Sequence, residues 1–309
     1  MPENNPSKIA IILVNYNSSQ FTLECVQSIQ ESTAAVLPYE IVVVDNRSRK
    51  EEWEKLAPLA QNSRVKLVRS CFNGGFALGN MLGVNAATAS VKYYYFLNND
   101  CLLKNDVLSI LYQFCEQNAS VALCSGLMHG PEGQVQVNFN YFPSLASKLL
   151  GTSLLRIFFP KKYPPKRVPS QPLAVDLLSG SSMFLRASAF RQIGGLDVNY
   201  FLFCEEEDLA LRLRRAGHAA YLVPEAHFIH FESGSGPKTY PMQREFYISF
   251  LYFYRKHYGI GACWVLQLFL FFKLLRKFYK SSDYVRLAWF VGRGAPVRAS
   301  LRLQQSLAD

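Results

Sequence analysis

The 309-residue chain is half hydrophobic and 18% charged, enough to bury a core of ordinary density in one large domain plus an appendage, which excludes a disordered or fibrous protein. Its seven cysteines (Cys25, Cys71, Cys101, Cys115, Cys124, Cys204 and Cys263) show neither a paired framework nor zinc-ligand spacing, so they read as small buried side chains in a reducing compartment. The net charge of +10 is uneven: from Lys238 onward there are 12 Lys or Arg against 3 Asp or Glu, leaving about +1 for the rest.

Met1 to Lys8 is polar, and with no apolar run ahead of the first strand the expectation is a cytoplasmic chain without a secretory leader. Ile9 to Val14 is a continuous apolar run opening into Asn15-Tyr16-Asn17-Ser18, the pattern of a buried parallel strand that ends in a loop. Thr22 to Gln30 supplies the helix that should follow, and Glu40 to Val44 is a second buried strand ending at Asp45. Val65 to Val68 reads as a third strand, Phe76 to Ala89 as a helix, and Tyr93 to Leu97 as a fourth strand ending at Asn98-Asn99-Asp100. A helix near Asn105 to Glu116 and a strand near Val121 to Ser125 follow, and then regularity fades. Lys161 to Pro172 holds four prolines and reads as a surface loop or flap. Pattern returns with Val175 to Leu185, helices over Arg186 to Ile193 and Glu205 to Ala216, and a strand over Ala219 to Val223. Strands alternating with helices predict an α/β fold with a mostly parallel central sheet flanked by helices.

The basic tail separates partner classes by its apolar content. Ile260 to Phe272 carries no charge, and Lys273, Arg276, Lys277 and Lys280 follow it. Tails that bind nucleic acid rarely expose so much apolar surface, so no nucleic-acid partner is expected. Thirteen uncharged residues fall short of the roughly 20 needed to span a bilayer. Arg255 to Tyr279 instead reads as a helix lying on an anionic membrane surface. A helix packed on the catalytic domain or on another subunit would have the same composition.

In α/β sheets of this kind ligands sit beyond the carboxyl ends of the strands, where Asn15, Asp45 and Asp100 fall. Asn98-Asn99-Asp100 sets a carboxylate and two small amides at such an end, a fit for a hard divalent ion on a diphosphate, although the same triplet also makes ordinary turns. Asn73-Gly74-Gly75-Phe76, with Gly79 and Asn80 one turn on, lets backbone and helix N-terminus approach a phosphate or sugar, or simply makes a tight turn. Glu205-Glu206-Glu207-Asp208 opens a helix that ends in Arg212, Arg214 and Arg215, which suits the macrodipole. Four consecutive carboxylates nevertheless repel one another, which raises the pKa of a member and equips it as a general base. His230, after an apolar run and before Glu232-Ser233-Gly234-Ser235-Gly236, is placed to complete a metal shell, with His227 its competitor and a purely structural role the plainer reading.

Taken in order, these segments resemble the family 2 glycosyltransferases of the GT-A fold, particularly the bacterial rhamnosyltransferase-like members. The residues that carry the resemblance are Val14-Asn15-Tyr16-Asn17, Val43-Val44-Asp45-Asn46, Asn73-Gly74-Gly75-Phe76 with Gly79-Asn80, Phe96-Leu97-Asn98-Asn99-Asp100, Gly180-Ser181-Ser182-Met183 through Gly194-Gly195-Leu196-Asp197, Glu205 to Leu209, and His230 with Ser235. The resemblance implies that Asp45 holds the base or ribose, with Asn15, Asn17, Asn73, Gly75, Asn80, Asn98 and Asn99 around the donor. It implies Asp100 and His230 as ligands to Mg²⁺ or Mn²⁺, although the family's acidic metal motif lacks its first acid here. It also implies Glu206 as the catalytic base, with Glu205 the alternative, in an inverting direct displacement.

The expected protein is thus a catalytic part over residues 1–237, with its nucleotide-binding part near 8–125 and its acceptor part near 173–237, followed by a helical, basic, membrane-associating region over 238–309. The expected partners are a nucleoside-diphosphate sugar, with dTDP-rhamnose leading galactofuranosyl and N-acetylglucosaminyl donors, and a polysaccharide or lipid-linked glycan acceptor on the inner face of the cell membrane. Loops such as Phe139 to Pro172 would set specificity. A sugar-nucleotide nucleotidyltransferase is the alternative enzyme, but Asn15 to Ser19 lacks the glycines and basic residues of a triphosphate loop. An inactive scaffold at the membrane is the third reading.

Overall fold

The computed structural model describes residues 8–231 and 239–305. Among the described residues, strands β1 (Ile9–Asn15), β2 (Tyr39–Asp45), β3 (Val65–Arg69), β4 (Tyr93–Leu97), β5 (Cys101–Leu103), β6 (Val121–His129), β7 (Val135–Gln136), β8 (Phe139–Asn140), β9 (Leu173–Val175), β10 (Leu177–Leu178), β11 (Ser182–Arg186) and β12 (Ala219–His230) alternate with ten α-helices. The main sheet runs β3-β2-β1-β4-β11-β6-β12-β5, with β7 on β6 and β9 on β12, while β8 and β10 pair separately. The first four strands are parallel, as the buried apolar runs predict. The sheet is then mixed: β11 is antiparallel to both β4 and β6, β12 is parallel to β6, and β5 is antiparallel to β12.

Alternation along each strand sorts the side chains to two faces. Ile9, Ile11, Leu13, Ile41 and Val43 face helices α1 (Ser19–Ser32) and α4 (Val107–Gln117) through Cys25, Val26, Ile29, Leu108 and Leu111. Ala10, Ile12, Val42 and Val44 face the opposite layer, which includes α3 (Gly75–Ala86), α7 (Ala187–Gln192) and α8 (Glu205–Arg215). Each buried Val, Ile or Leu contributes about 1.5–3 kcal/mol, so both faces of the sheet are held from the first strand onward.

Three segments depart from the sequence reading. The strand expected to end at Val223 continues past Pro224 to His230, with its register to β6 shifting between Val223 and His227, a break that Pro's missing N–H requires. The stretch of fading pattern holds two short helices, α5 (Leu145–Leu150) and α6 (Thr152–Phe158), besides β7 and β8. The helix expected over Arg255 to Tyr279 is the second half of α9 (Tyr240–Leu275), which breaks at Gly259 in the left-handed region (φ 83°). Between α1 and α3, α2 (Lys50–Lys55) is a surface turn of helix, and α10 (Ser282–Gly292) returns against α9.

The first half of α9 belongs to the core: Ile248, Phe250, Leu251, Phe253 and Tyr254 are buried with Leu209 and Leu213 of α8. Asp208 locks the two helices together. It is fully buried, accepts from Nε of Arg212 on its own helix at 2.7 Å, and meets Lys256 (2.5 Å) and His257 (2.7 Å) of α9. Burial alone would raise its pKa, but His257, Arg212 and Lys256 outweigh that and hold it at about 2. Its stabilisation is complete above the ordinary aspartate value of 3.8 and is lost as pH falls through about 2. Asp208→Ala removes the buried acceptor shared by Arg212, Lys256 and His257 and should cost about 3–5 kcal/mol in urea unfolding at neutral pH, with the gap to wild type narrowing toward pH 2. A loss under about 1 kcal/mol at pH 7 would show that the two helices are held by apolar contact alone.

Candidate active site

At the carboxyl ends of β1 and β2 the chain forms a polar knot. Asn15 and Asp45 lie opposite one another in register, and both are fully buried. The Asn15 amide donates to Asp45 (2.9 Å) and Ser48 (3.0 Å), while its oxygen accepts from Thr22 (2.8 Å). Asp45 also accepts the Ser48 N–H at 3.1 Å and lies 3.5 Å from the Arg69 guanidinium. Asn99 joins this knot by donating to Ser18 and Thr22, each at 2.8 Å. Asn17, at φ 53°, accepts the Arg49 N–H at 2.8 Å and so shapes the loop beside it.

The glycine turn is held from below and above. Asn46 donates to the Gly75 carbonyl at 2.8 Å, and the Asn73 side chain caps the Gly75 N–H at 2.9 Å. Gly75 has φ 78°, and a Cβ there would overlap the Phe201 carbonyl oxygen, so only glycine fits. Asn80 is buried and donates to Phe76 within its own helix at 2.9 Å. From the far end of the chain, Gln305 exchanges two hydrogen bonds with the Asn73 backbone (2.9 and 2.6 Å). Arg302 donates to the carbonyls of Gly74 (3.1 Å), Val198 (2.7 Å) and Tyr200 (3.2 Å). Glu245 of α9 anchors this strap by accepting from Ser300 and the Leu301 N–H.

Across the sheet, the pairing of β5 with β12 sets Cys101 opposite His230. Asp100 Oδ1 then lies 3.2 Å from His230 Nε2, and the Asn98 amide is 3.3 Å from the same nitrogen. Asp100, Cys101 and His230 bring their ligand atoms within 4.8 Å of one another. Burial pushes the Cys101 thiol well up, so it stays protonated and is no ligand for a hard cation. The remaining carboxylate and imidazole fit Mg²⁺ or Mn²⁺, which take few protein ligands and keep positions for water and phosphate. The other His230 nitrogen, Nδ1, is buried without a hydrogen-bond partner among the described residues, so the ring is committed on one side only. His227, the competing histidine, pairs instead with His129 at 3.0 Å. Ser235 lies outside the described residues.

The acidic helix start faces this cluster through one turn. Ser181 accepts the Asn98 N–H at 2.9 Å, and the neighbouring Gly180 packs on the Glu206 side chain. Two consecutive left-handed residues, Phe203 (φ 72°) and Cys204 (φ 65°), aim the helix, a strain of the kind concentrated at functional sites. Glu205 is buried with one carboxylate oxygen unpartnered, whereas Glu206 is half-buried and reaches toward Gly180. Burial and then Glu207 raise Glu205 to about 8, and burial with Glu207 and Glu205 pushes Glu206 well up.

The profile of Glycosyl transferase family 2 matches residues 10–194. The chain belongs to that family. Among curated relatives, rhamnosyltransferase WbbL of Escherichia coli (strain K12) is 32% identical over 164 residues, 48% of this chain and 58% of that protein. An N-acetylglucosaminyl-diphospho-decaprenol L-rhamnosyltransferase of Mycobacterium tuberculosis is 26% identical over 66% of this chain and 70% of its own length. The fold is shared with the mannosyltransferase PcManGT of Pyrobaculum calidifontis, solved with GDP-Man and Mn²⁺ (TM-score 0.59, 13% identity, 97% of this chain and 83% of that one). It is shared also with GalNAc-T7, solved with UDP, GalNAc and Mn²⁺ (TM-score 0.57, 16% identity, 79% and 48%). Both likenesses bear out the GT-A expectation.

In this family 2 protein the site combines residues that sequence order separates widely. Asn46, Ser48, Ser18 and Thr22 support the predicted residues through hydrogen bonds; Asn46 and Ser18 stood within the quoted segments, whereas Ser48 and Thr22 carried no signal beyond being polar. Arg302 and Gln305 carried none, since nothing in their spacing ties them to a loop some 228 and 232 residues away.

The raised acids have a consequence for stability. Between about pH 4.5 and 8 the folded chain keeps a proton on Glu205 that the unfolded chain releases, so stability from this group is present at low pH and lost as pH rises. Glu205→Gln should leave the thermal midpoint near pH 5 almost unchanged and raise it by at least about 2 °C at pH 8.5, read by calorimetry. An equal shift at both pH values would mean that Glu205 is not held protonated.

Proposed function

We propose that the chain is a divalent-cation-dependent, inverting glycosyltransferase that moves a sugar from a nucleoside-diphosphate donor to a hydroxyl of a polysaccharide or lipid-linked glycan. The observation that carries this reading is the contact of Asp100 with His230 at 3.2 Å, beside Asn98, whose N–H is tied through Ser181 to the turn that touches Glu206. Asp100 and His230 would hold Mg²⁺ or Mn²⁺, which when bound neutralises charge developing on the leaving diphosphate. The Asn15, Asp45 and Ser48 knot shapes the wall for the base and ribose, and the glycine turn, its own N–H groups bonded within the protein, lets the start of α3 come close to that wall.

In the transfer the acceptor hydroxyl oxygen attacks the anomeric carbon from the face opposite the diphosphate. The carbon–oxygen bond to the diphosphate breaks, and Glu206 takes the hydroxyl proton. Its raised proton affinity makes it a stronger base than an exposed glutamate once ionised. Glu206 suits this role better than Glu205 because it is the less buried of the two and faces the turn next to Asn98.

A rhamnosyl donor, for which we propose thymidine diphosphate as the carrier, is supported by two relatives named as rhamnosyltransferases, and a lipid-linked acceptor by the diphospho-decaprenol in the second one's name. The exposed stripe of α9, Ile260, Trp264, Leu268 and Phe272, recurs every four residues, while Cys263, Leu266, Leu270 and Leu274 are buried opposite it. α9 is long and apolar enough to cross a membrane by length and composition. Its first half is buried in the fold, and the 16 residues after Gly259 measure about 24 Å, short of a hydrocarbon core. This supports the exposed stripe after Gly259, within residues 238–309, as a surface that lies on the membrane, while the first half of α9 and the strap through Arg302 and Gln305 belong with residues 1–237 to the catalytic part.

Glu206→Gln should lower turnover by about 10²–10⁴-fold while donor binding persists, measured as release of nucleoside diphosphate with acceptor present. Asp100→Ala should abolish the Mn²⁺ dependence of donor binding in thermal-shift titrations with dTDP-rhamnose and other sugar nucleotides. Near-normal turnover in the first, or unchanged Mn²⁺ titration in the second, would defeat the corresponding assignment.

A further inference from the structure

The segment between β8 and β9 carries a second surface that none of the catalytic chemistry uses. Between Glu132 and Asp176 the sequence has six lysines or arginines and no acid, whereas residues 1–237 as a whole are close to neutral. The two short helices within it, α5 and α6, turn about Gly151 at φ 81°. Their inward residues are few: Leu155 and Tyr163 are buried, and Leu145 and Phe142 rest on the core. Their outward residues are large and apolar. Ile157 is 72% exposed, Phe158 69% and Phe159 55%, with Leu150 and Leu154 beside them. Leu154, Ile157 and Phe158 are spaced to share one face of α6, and Lys161 and Lys162 follow directly.

A soluble protein rarely leaves so many contiguous large apolar side chains in water without an interaction that covers them. Aromatic and aliphatic residues bordered only by cations match the boundary of an anionic bilayer, where acyl chains take the apolar face and headgroups take the lysines. The position agrees with this. The Tyr258 hydroxyl donates to the Pro143 carbonyl at 2.6 Å, so the hairpin abuts α9 one residue before Gly259, where the exposed stripe of α9 begins. Lys148 of α5 lies over the Phe250 ring at 5.0 Å and partly offsets the charge of Glu207, which places the hairpin beside the start of α8.

We propose that the α5–α6 hairpin, through Leu154, Ile157, Phe158, Phe159, Lys161 and Lys162, is a second membrane-contact surface that seats the Glu206 side of the protein on anionic lipid independently of the α9 stripe. It shares with the proposed function only the bilayer. Two contacts on either side of Tyr258 fix an orientation that one helix cannot, and they hold the start of α8 close to the headgroup layer. A weak first contact becomes a firm one when a second is tethered to it.

The test uses the full chain with vesicles of phosphatidylcholine, with and without phosphatidylglycerol, in co-sedimentation. One variant pairs Ile157→Glu with Phe158→Glu and another pairs Lys161→Glu with Lys162→Glu; all four residues are exposed, and unchanged thermal midpoints establish folding first. Each pair should weaken binding to phosphatidylglycerol vesicles on the order of tenfold with the α9 stripe intact, and the wild-type binding should fall as salt rises. Binding equal to wild type in both variants overturns the proposal. So does wild-type chain that ignores anionic vesicles, or variants that alter self-association in sedimentation equilibrium while leaving vesicle binding unchanged. Donor binding with Mn²⁺, measured without vesicles, separates failure of this surface from failure of the catalytic reading.

Discussion

The site rests on one short strand pairing. β5 is three residues long, yet its antiparallel register against the end of β12 sets Cys101 opposite His230 and so puts a carboxylate within 3.2 Å of an imidazole 130 positions away. The rest of the sheet converges on that contact. Parallel β1, β2 and β4 deliver Asn15, Asp45 and Asn98-Asn99 to the same edge, because strands in such sheets end in loops on one side. The antiparallel β11 starts at that edge, and Ser181, the residue before it, ties Asn98 to the turn that touches Glu206.

Around this edge the fold tolerates unfavourable local terms and offsets them elsewhere. Buried carboxylates at the start of α8 repel one another, and two left-handed non-glycine residues precede them. Asp208, at the end of the same turn, is the counterweight: Arg212 of its own helix, with Lys256 and His257 of α9, holds it ionised, and the two α9 partners fasten α8 to α9. α9 in turn holds the strap through Glu245, and the strap holds the glycine turn through Arg302 and Gln305. The helix that carries the exposed apolar stripe is thus mechanically continuous with both halves of the site. That continuity gives the exposed stripe a physical route to the glycine turn.

Much of this was legible in the sequence wherever one residue type answered one local demand. Continuous apolar runs of β-branched residues could only be buried parallel strands, and the polar residues closing them could only lie at the strand ends. Gly75 was read as giving room to a phosphate or sugar, or to a tight turn, and the group that comes close to it is the Phe201 carbonyl of the protein itself. What stayed hidden depended on register or distance. The strand read over Ala219 to Val223 in fact slips register past Pro224 and continues, carrying His230 to Asp100. Asp208 read as one of four equivalent acids, although its partners Lys256 and His257 lie on a helix that composition assigned to a membrane tail. The α5–α6 hairpin was masked because Gly151 and the prolines interrupt its period, and its apolar face points outward rather than into the core.

The most direct test of the account is a crystal of the protein grown with Mn²⁺ and a nucleoside diphosphate, with anomalous scattering recorded at the manganese edge. The account predicts a single strong peak bonded to the Asp100 carboxylate and to His230, with diphosphate oxygens completing its shell and the nucleoside against the Asn15 and Asp45 wall. Manganese bound elsewhere, or a diphosphate seated at the glycine turn with no ion between Asp100 and His230, would contradict it.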